Sequence, residues 1–168
     1  MAYEVKITPG RDKEKKFELD EALKAGCDEA AKYGTRILVY GDPRCGKTSV
    51  LKYFISKSSD YFGVDESDVL YMDDVEFIGM TTPSSRVGSM EDFRKRFLDA
   101  KMIVLDDINF CVGKVKAEDE LKQIFEMDKI FIVSMMTPQP WMRFSKSVEN
   151  QLEYFTKMEI NKSDNINE

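Results

Sequence analysis

Arg36-Ile37-Leu38-Val39-Tyr40-Gly41-Asp42-Pro43-Arg44-Cys45-Gly46-Lys47-Thr48-Ser49 is the stretch from which the rest of the chain is read. Its first five residues form an apolar run rich in β-formers and too short for a helix, which predicts a fully buried parallel strand. Gly41 to Thr48 then fit G-x-x-x-x-G-K-[ST], the phosphate-binding loop, and Val50, Leu51, Phe54 and Ile55 follow at the spacing of one helical face. Strand, loop and helix stand in the order such a loop requires. Gly41 and Gly46 admit torsions that a β-carbon would block, so successive backbone N–H groups can turn inward on an anion. The helix starting near Lys47 aims the positive end of its dipole at the same point. Lys47 is expected to reach the β- and γ-phosphates of ATP and the Thr48 hydroxyl to bind Mg²⁺, with Asp42, Pro43, Arg44, Cys45 and Ser49 completing the nucleotide-binding loop. Cys45 occupies a variable position of the motif, where neighbouring donors would lower its thiol pKa.

Outward from this loop, short apolar runs predict further strands at 69–72, 102–105, 130–133 and near 158–160. Helical spacing predicts helices over 17–33, 47–57, 90–98, 118–125 and 147–154, the first ended by Gly34. The run 79–89, dense in Gly, Thr, Pro and Ser, reads as a loop. Strands separated by helices imply right-handed crossovers and an α/β fold with a mostly parallel sheet covered on both faces. Ligands of such sheets bind at the carboxyl ends of the strands, which here follow Tyr40, Leu105 and Val133. The division is an N-terminal arm (1–16), one core (17–160) and a short tail (161–168).

A phosphate loop needs a carboxylate at a strand end to hold the metal shell. Met102-Ile103-Val104-Leu105-Asp106-Asp107 supplies one, and Val69-Leu70-Tyr71-Met72-Asp73-Asp74 has the same form. The first is preferred, because its strand leads into a helix and then a buried strand ending at Ser134. Asp106 would orient Mg²⁺ through its water shell, and Asp107, nearer the γ-phosphate, would polarise the attacking water. Ser134 either caps a turn or sits between the carboxylates and the γ-phosphate, sensing its presence. Trp141 with Met135, Met136 and Met142 makes an apolar patch of the kind that serves as core or oligomer contact.

Composition bounds the function. The chain has 168 residues, one domain's worth, with 42% apolar and 33% charged residues. A net charge of −6 and a pI near 4.9 argue against a surface that grips nucleic acid throughout. Arg86, Arg94, Lys95, Arg96 and Lys101 cluster, but Glu91, Asp92 and Asp99 dilute them to a net +2, as on a solvated helix face. No histidine is present and Cys27, Cys45 and Cys111 contain no CxxC pair, so a Cys/His zinc site and a His-based triad are excluded. No run of 18 apolar residues suits a membrane, and Met1 to Gly10 lack a signal-peptide pattern, which points to the cytoplasm.

These motifs together resemble the AAA+ ATPases, in the branch of the bacterial replication initiator DnaA and the helicase loader DnaC. Val69 to Ile78 is similar to the initiators' second strand, which makes Asp73-Asp74 a non-catalytic pair. Ser89 to Phe97, followed by Asp99 to Phe110, is similar to the helix leading into their metal-site strand, with the shared ending Asp-Asp-Ile-x-Phe. Ser134 to Pro138 falls where the family's sensor 1 turn lies. The resemblance implies a P-loop three-layer sandwich with a five-stranded sheet, ATP and Mg²⁺ as cofactors, and a replication protein, either a helicase or an initiator, as partner. Single-stranded DNA, through a loop centred on Arg86, and self-assembly are further partners it admits.

Three departures shape the expected activity. The region 147–156 carries no arginine to reach a neighbour's ATP, and Arg143 lies upstream of it. The chain stops where the family's helical lid begins. The run 79–88 is too rich in Pro and Gly for the extra helix with which initiators contact single-stranded DNA. The expectation is a weak, partner-dependent ATPase of DNA replication, small enough to suit a phage or other mobile element, acting then in the host cytoplasm. The alternative is a non-catalytic nucleotide-binding adaptor for a replication protein; a small-molecule kinase would need an arginine-rich lid.

Overall fold

A computed structural model describes residues 20–84, 88–139 and 142–161. In chain order the elements are α1 (Glu21–Tyr33), β1 (Arg36–Gly41), α2 (Lys47–Ser56), α3 (Ser58–Phe62), β2 (Val69–Met72), α4 (Asp74–Thr81), α5 (Met90–Asp99), β3 (Met102–Leu105), α6 (Val115–Phe125), β4 (Ile130–Met136), α7 (Lys146–Leu152) and β5 (Thr156–Ile160). The five strands form one sheet in the order β2-β3-β4-β1-β5, and every pairing is parallel.

Side chains alternate across a strand, and both faces of this sheet are buried. Ile37, Val39, Met102, Val104 and Ile132 point to one face, where Val50, Leu51 and Phe54 of α2 and Cys27 and Ala30 of α1 cover them. Leu38, Ile103, Leu105, Phe131 and Val133 point to the other, against Phe77, Phe93, Phe97, Leu121, Ile124 and Val148 of α4 to α7. Two apolar layers on one sheet give the expected three-layer sandwich. On the second face Phe93 meets Phe97 edge-on at 5.0 Å and Phe77 at 5.6 Å. Arg36 ties the layers at the opposite end of the sheet. Its guanidinium donates to the Phe125 and Met127 carbonyls at the end of α6, both at 2.8 Å, and lies over the Phe131 ring.

The structure corrects several boundaries. The loop read over 79–89 begins later, because α4 carries the chain to Thr81. Asp73 caps this helix by accepting the Glu76 N–H at 2.9 Å. Phe77 and Thr81, four residues apart, both turn inward, and the Thr81 hydroxyl donates to the Phe77 carbonyl. That inward face outweighs the low helix propensity of Gly79. The fourth strand does not end at Val133 or Ser134 but continues to Met136, zipped to β1 through Gly41↔Met136. Gly34 ends α1 in an extended conformation that feeds β1, without the left-handed cap expected of a helix-ending glycine. The helices read from Glu118 and over 147–154 span Val115–Phe125 and Lys146–Leu152, and the last strand starts at Thr156. The arm over 1–16 and residues beyond 161 lie outside the described residues, as do Arg86 and Trp141. Among the described residues no helix is long and apolar enough to cross a membrane.

Candidate functional site

The loop between β1 and α2 opens at the carboxyl end of the sheet. Gly41 is required for space: a Cβ there would stand 2.4 Å from the Ile160 carbonyl oxygen and 2.6 Å from Cys45 Sγ. Torsional freedom, expected of both glycines, is used at Gly46 (φ 98°), and Arg44 also takes a left-handed conformation (φ 65°). Gly41→Ala therefore forces β5 or the loop to shift. It should destabilise the chain by about 1–3 kcal/mol, read as a lowered melting temperature. Gly46 precedes α2 and no side chain caps this helix, so its first-turn N–H groups face the loop, the arrangement that receives a phosphate.

Lys47 is 8% exposed, and its ammonium lies 2.9 Å from the Gly41 carbonyl, 3.0 Å from the Asp42 carbonyl and 3.9 Å from Cys45 Sγ. These acceptors are carbonyls and a thiol, so no carboxylate is hydrogen-bonded to the ammonium to compete with an incoming anion. Asp42, Pro43 and Arg44 are exposed, and Ser49 is half-buried in the first turn of α2. The Asp42 carbonyl accepts the Cys45 N–H at 3.2 Å and closes the turn. Cys45 departs from the expected behaviour. It is buried, and burial pushes its thiol pKa up, outweighing the nearby Lys47 that pulls it down.

Strand alternation assembles the other half of the site. Val104 faces α2, so Asp106, two residues on, emerges on the same side; Ile132 does likewise for Ser134, and Val69 for Tyr71. The Asp106 carboxylate, almost fully buried, accepts three hydroxyls. Oδ2 takes Thr48 Oγ1 at 2.8 Å and the Tyr71 hydroxyl at 2.9 Å, and Oδ1 takes Ser134 Oγ at 2.6 Å. Ser134 Oγ in turn accepts the Asp107 N–H at 2.9 Å. This serine lies within β4 and joins the two carboxylate residues; it neither ends a strand nor caps a turn.

Asp107 is left-handed (φ 61°) and leads into a short 3₁₀ turn, Ile108–Cys111. Burial first, and the Asp106 charge second, hold its carboxyl above the usual carboxylate range, with Lys47 pulling the other way. The structure thus brings Thr48, Asp106, Asp107 and Ser134 together and sets Lys47 at the throat of the loop beside them. The rival pair lies next to the site but makes none of these bonds: Asp73 caps α4 and Asp74 opens that helix.

Two participants escaped the sequence reading. Tyr71 could be found only by combining the alternation of β2 with its register against β3, Tyr71↔Val104. Asn109 Oδ1 accepts the Met136 N–H at 3.1 Å, pinning the turn after Asp107 to β4. Of the apolar patch, Met135 is core, and Met136 and Met142 are half-buried. The described members of the basic strip are paired within the chain: Arg94 with Glu120, Lys95 with Asp99, Arg96 with Glu76 and Lys101 with Asp68, at 2.6 to 3.6 Å.

Among the described residues no three His, Cys, Asp or Glu side chains gather into a metal cage. Mg²⁺ needs none, since one carboxylate and a hydroxyl with the phosphates of its ligand meet its preference for hard oxygens. Thr48 and Asp106 fit that requirement.

A parallel sheet in this order, with a glycine-bounded phosphate loop after β1 and a carboxylate pair after β3, defines a P-loop ATPase domain of the AAA+ type. The chain belongs to the bacterial DnaA ATPase domain family, which it matches over residues 13–158. It is 29% identical over 128 residues to the chromosomal replication initiator protein DnaA of Kosmotoga olearia, covering 73% of this chain and 28% of that protein. The chain thus spans just over a quarter of that relative's length. Among solved structures it is similar to replication initiator DnaA bound to AMPPCP and single-stranded DNA (TM-score 0.66, 21% identity, 85% of this chain and 45% of that one). It is also similar to the DnaC helicase loader (TM-score 0.61, 14% identity, 84% of this chain and 87% of that one).

Proposed function

We propose that this chain binds Mg-ATP and acts in DNA replication as an AAA+ ATPase of initiator or helicase-loader type, slow on its own and completed by a partner. The observation that carries the reading is the 2.8 Å bond from Thr48 to Asp106, which joins the phosphate loop to the strand-end carboxylate. The uncapped N–H groups at the start of α2, from Gly46 to Ser49, and the Lys47 ammonium would hold the phosphates. Thr48 and, through water, Asp106 would hold Mg²⁺, which supplies charge neutralisation between the β- and γ-phosphates. Asp107 would polarise the attacking water, and Ser134, bonded to both carboxylate residues, would register the γ-phosphate.

Slow turnover follows from the residues around α7. Among the described residues from Lys146 to Leu152 none is an arginine, and Arg143 is engaged by Glu149 at 3.5 Å. An arginine supplied to the γ-phosphate is worth roughly 10³–10⁵ in rate. The partner favoured is a replication protein in the cytoplasm. Single-stranded DNA is the weaker candidate, because the basic strip's described members are engaged with acids of the same chain.

The test is ATP binding and hydrolysis by the purified chain, with and without single-stranded DNA. The expected outcome is Mg²⁺-dependent binding with slow turnover. No binding at millimolar ATP would overturn the reading, as would fast turnover by the chain alone. Binding without turnover under any addition would favour the second reading, a nucleotide-binding adaptor, which the lack of an arginine at α7 supports.

A further inference from the structure

We infer that Tyr71 is a positioning residue for Asp106, fixing the orientation in which this carboxylate holds Mg²⁺ beside Thr48; the inference rests on the nucleotide reading above. A carboxylate turns readily about its broad, two-fold terminal torsion. Asp106 is locked from both sides, Oδ1 by Ser134 and Oδ2 by Thr48 and Tyr71. These donors differ in what else they do. Thr48 would offer its oxygen lone pairs to the cation while its hydroxyl donates to Oδ2, and Ser134 also accepts the Asp107 N–H. The Tyr71 hydroxyl has no other partner role in this network: it donates to Oδ2 and to nothing that the phosphate loop or the Asp107 turn contributes.

Its placement is rigid. Tyr71 sits in β2, is paired in register with Val104 two residues before Asp106, and packs its ring against the apolar layer beneath α2. The phenol is the donor in this bond, and the carboxylate accepts at 2.9 Å. The donor therefore approaches the carboxylate from a neighbouring strand, on the side away from β4 and Ser134. Partners that orient a metal-site group in this way typically govern about 10- to 100-fold in metal affinity.

The experiment follows a fluorescent N-methylanthraniloyl ATP on the wild-type chain and on Tyr71→Phe, in EDTA and across a Mg²⁺ titration, with a melting curve for each. Phenylalanine keeps the ring and removes only the donor. The expected result is a half-saturating Mg²⁺ concentration raised about tenfold in Tyr71→Phe, with nucleotide binding in EDTA unchanged. An unchanged Mg²⁺ midpoint would overturn the inference while leaving the nucleotide reading standing. Equal losses in EDTA and in Mg²⁺, or a variant without a cooperative melting transition, would overturn it by making Tyr71 a packing residue. If the wild-type chain binds no nucleotide in either condition, the nucleotide reading fails and the inference falls with it.

Discussion

Lys47→Ala is expected to weaken ATP binding by between about thirtyfold and several thousandfold while leaving the apo fold nearly as stable as before. The two halves of this expectation have different causes. Removing one member of a buried, hydrogen-bonded charge pair costs about 2–5 kcal/mol, and each 1.4 kcal/mol is a factor of ten in affinity. The Lys47 ammonium is desolvated, held by carbonyls and not by a carboxylate, and therefore pre-set to meet an anion. Without a ligand its loss is mild. The Gly41 carbonyl also accepts the Thr137 N–H at 3.1 Å, so it keeps a partner in the variant, and the cost of burying an ammonium disappears along with its bonds. A thermal-shift series separates the effects. A ligand at 100 times its dissociation constant stabilises its target by about 2.7 kcal/mol, so wild type should melt higher as ATP rises and Lys47→Ala should need at least about thirtyfold more ATP for the same shift. A variant that shifts at the same ATP concentrations as wild type would remove Lys47 from the site.

How far this arrangement could be read from the chain depends on whether each feature is local. The strands were legible because a run such as Met102-Ile103-Val104-Leu105 is short, apolar and bounded, and a sheet buried on both faces asks for nothing else. The loop was legible because its glycines, Lys47 and Thr48 are contiguous. α4 was not, because Gly79, Thr81 and Thr82 argue locally against a helix whose support is tertiary, namely Phe77 and Thr81 against the second core layer. The identical form of Met72-Asp73-Asp74 and Leu105-Asp106-Asp107 could not be resolved by spacing. What separates them is that Thr48 reaches across to β3, whereas Asp73 is consumed as a helix cap. Tyr71 needs a strand register, and Gly41 needs the position of Ile160, more than a hundred residues away. The charge on Arg94 to Lys101 reads as a patch in one dimension and as a set of ion pairs in three.

Asp107→Asn should separate binding from chemistry. General-base assistance contributes typically about 10²–10⁴-fold, so turnover should fall by that factor while ATP affinity stays within a few-fold, because Asp107 is bonded through its backbone N–H and does not ligate the phosphate loop. The substitution should also raise the melting temperature at neutral pH. A carboxyl whose pKa is raised by folding binds its proton more tightly in the native state than in the unfolded chain. Its contribution to stability is therefore fully present below the unfolded carboxylate pKa and is lost as pH rises through the higher folded value. Above its folded pKa wild-type Asp107 is ionised against its burial and the charges of Asp106 and Asp74, and asparagine relieves that penalty. Asparagine is also among the few residues that accept the left-handed backbone of this position. For the same reason wild-type turnover should begin to fall, on acidification, at a higher pH than an ordinary carboxylate would impose. The gain in stability should vanish in acid, where both chains carry a neutral side chain. A variant that melts lower at pH 7, or that turns over at the wild-type rate, would show that Asp107 is a structural turn residue and that the water is activated elsewhere.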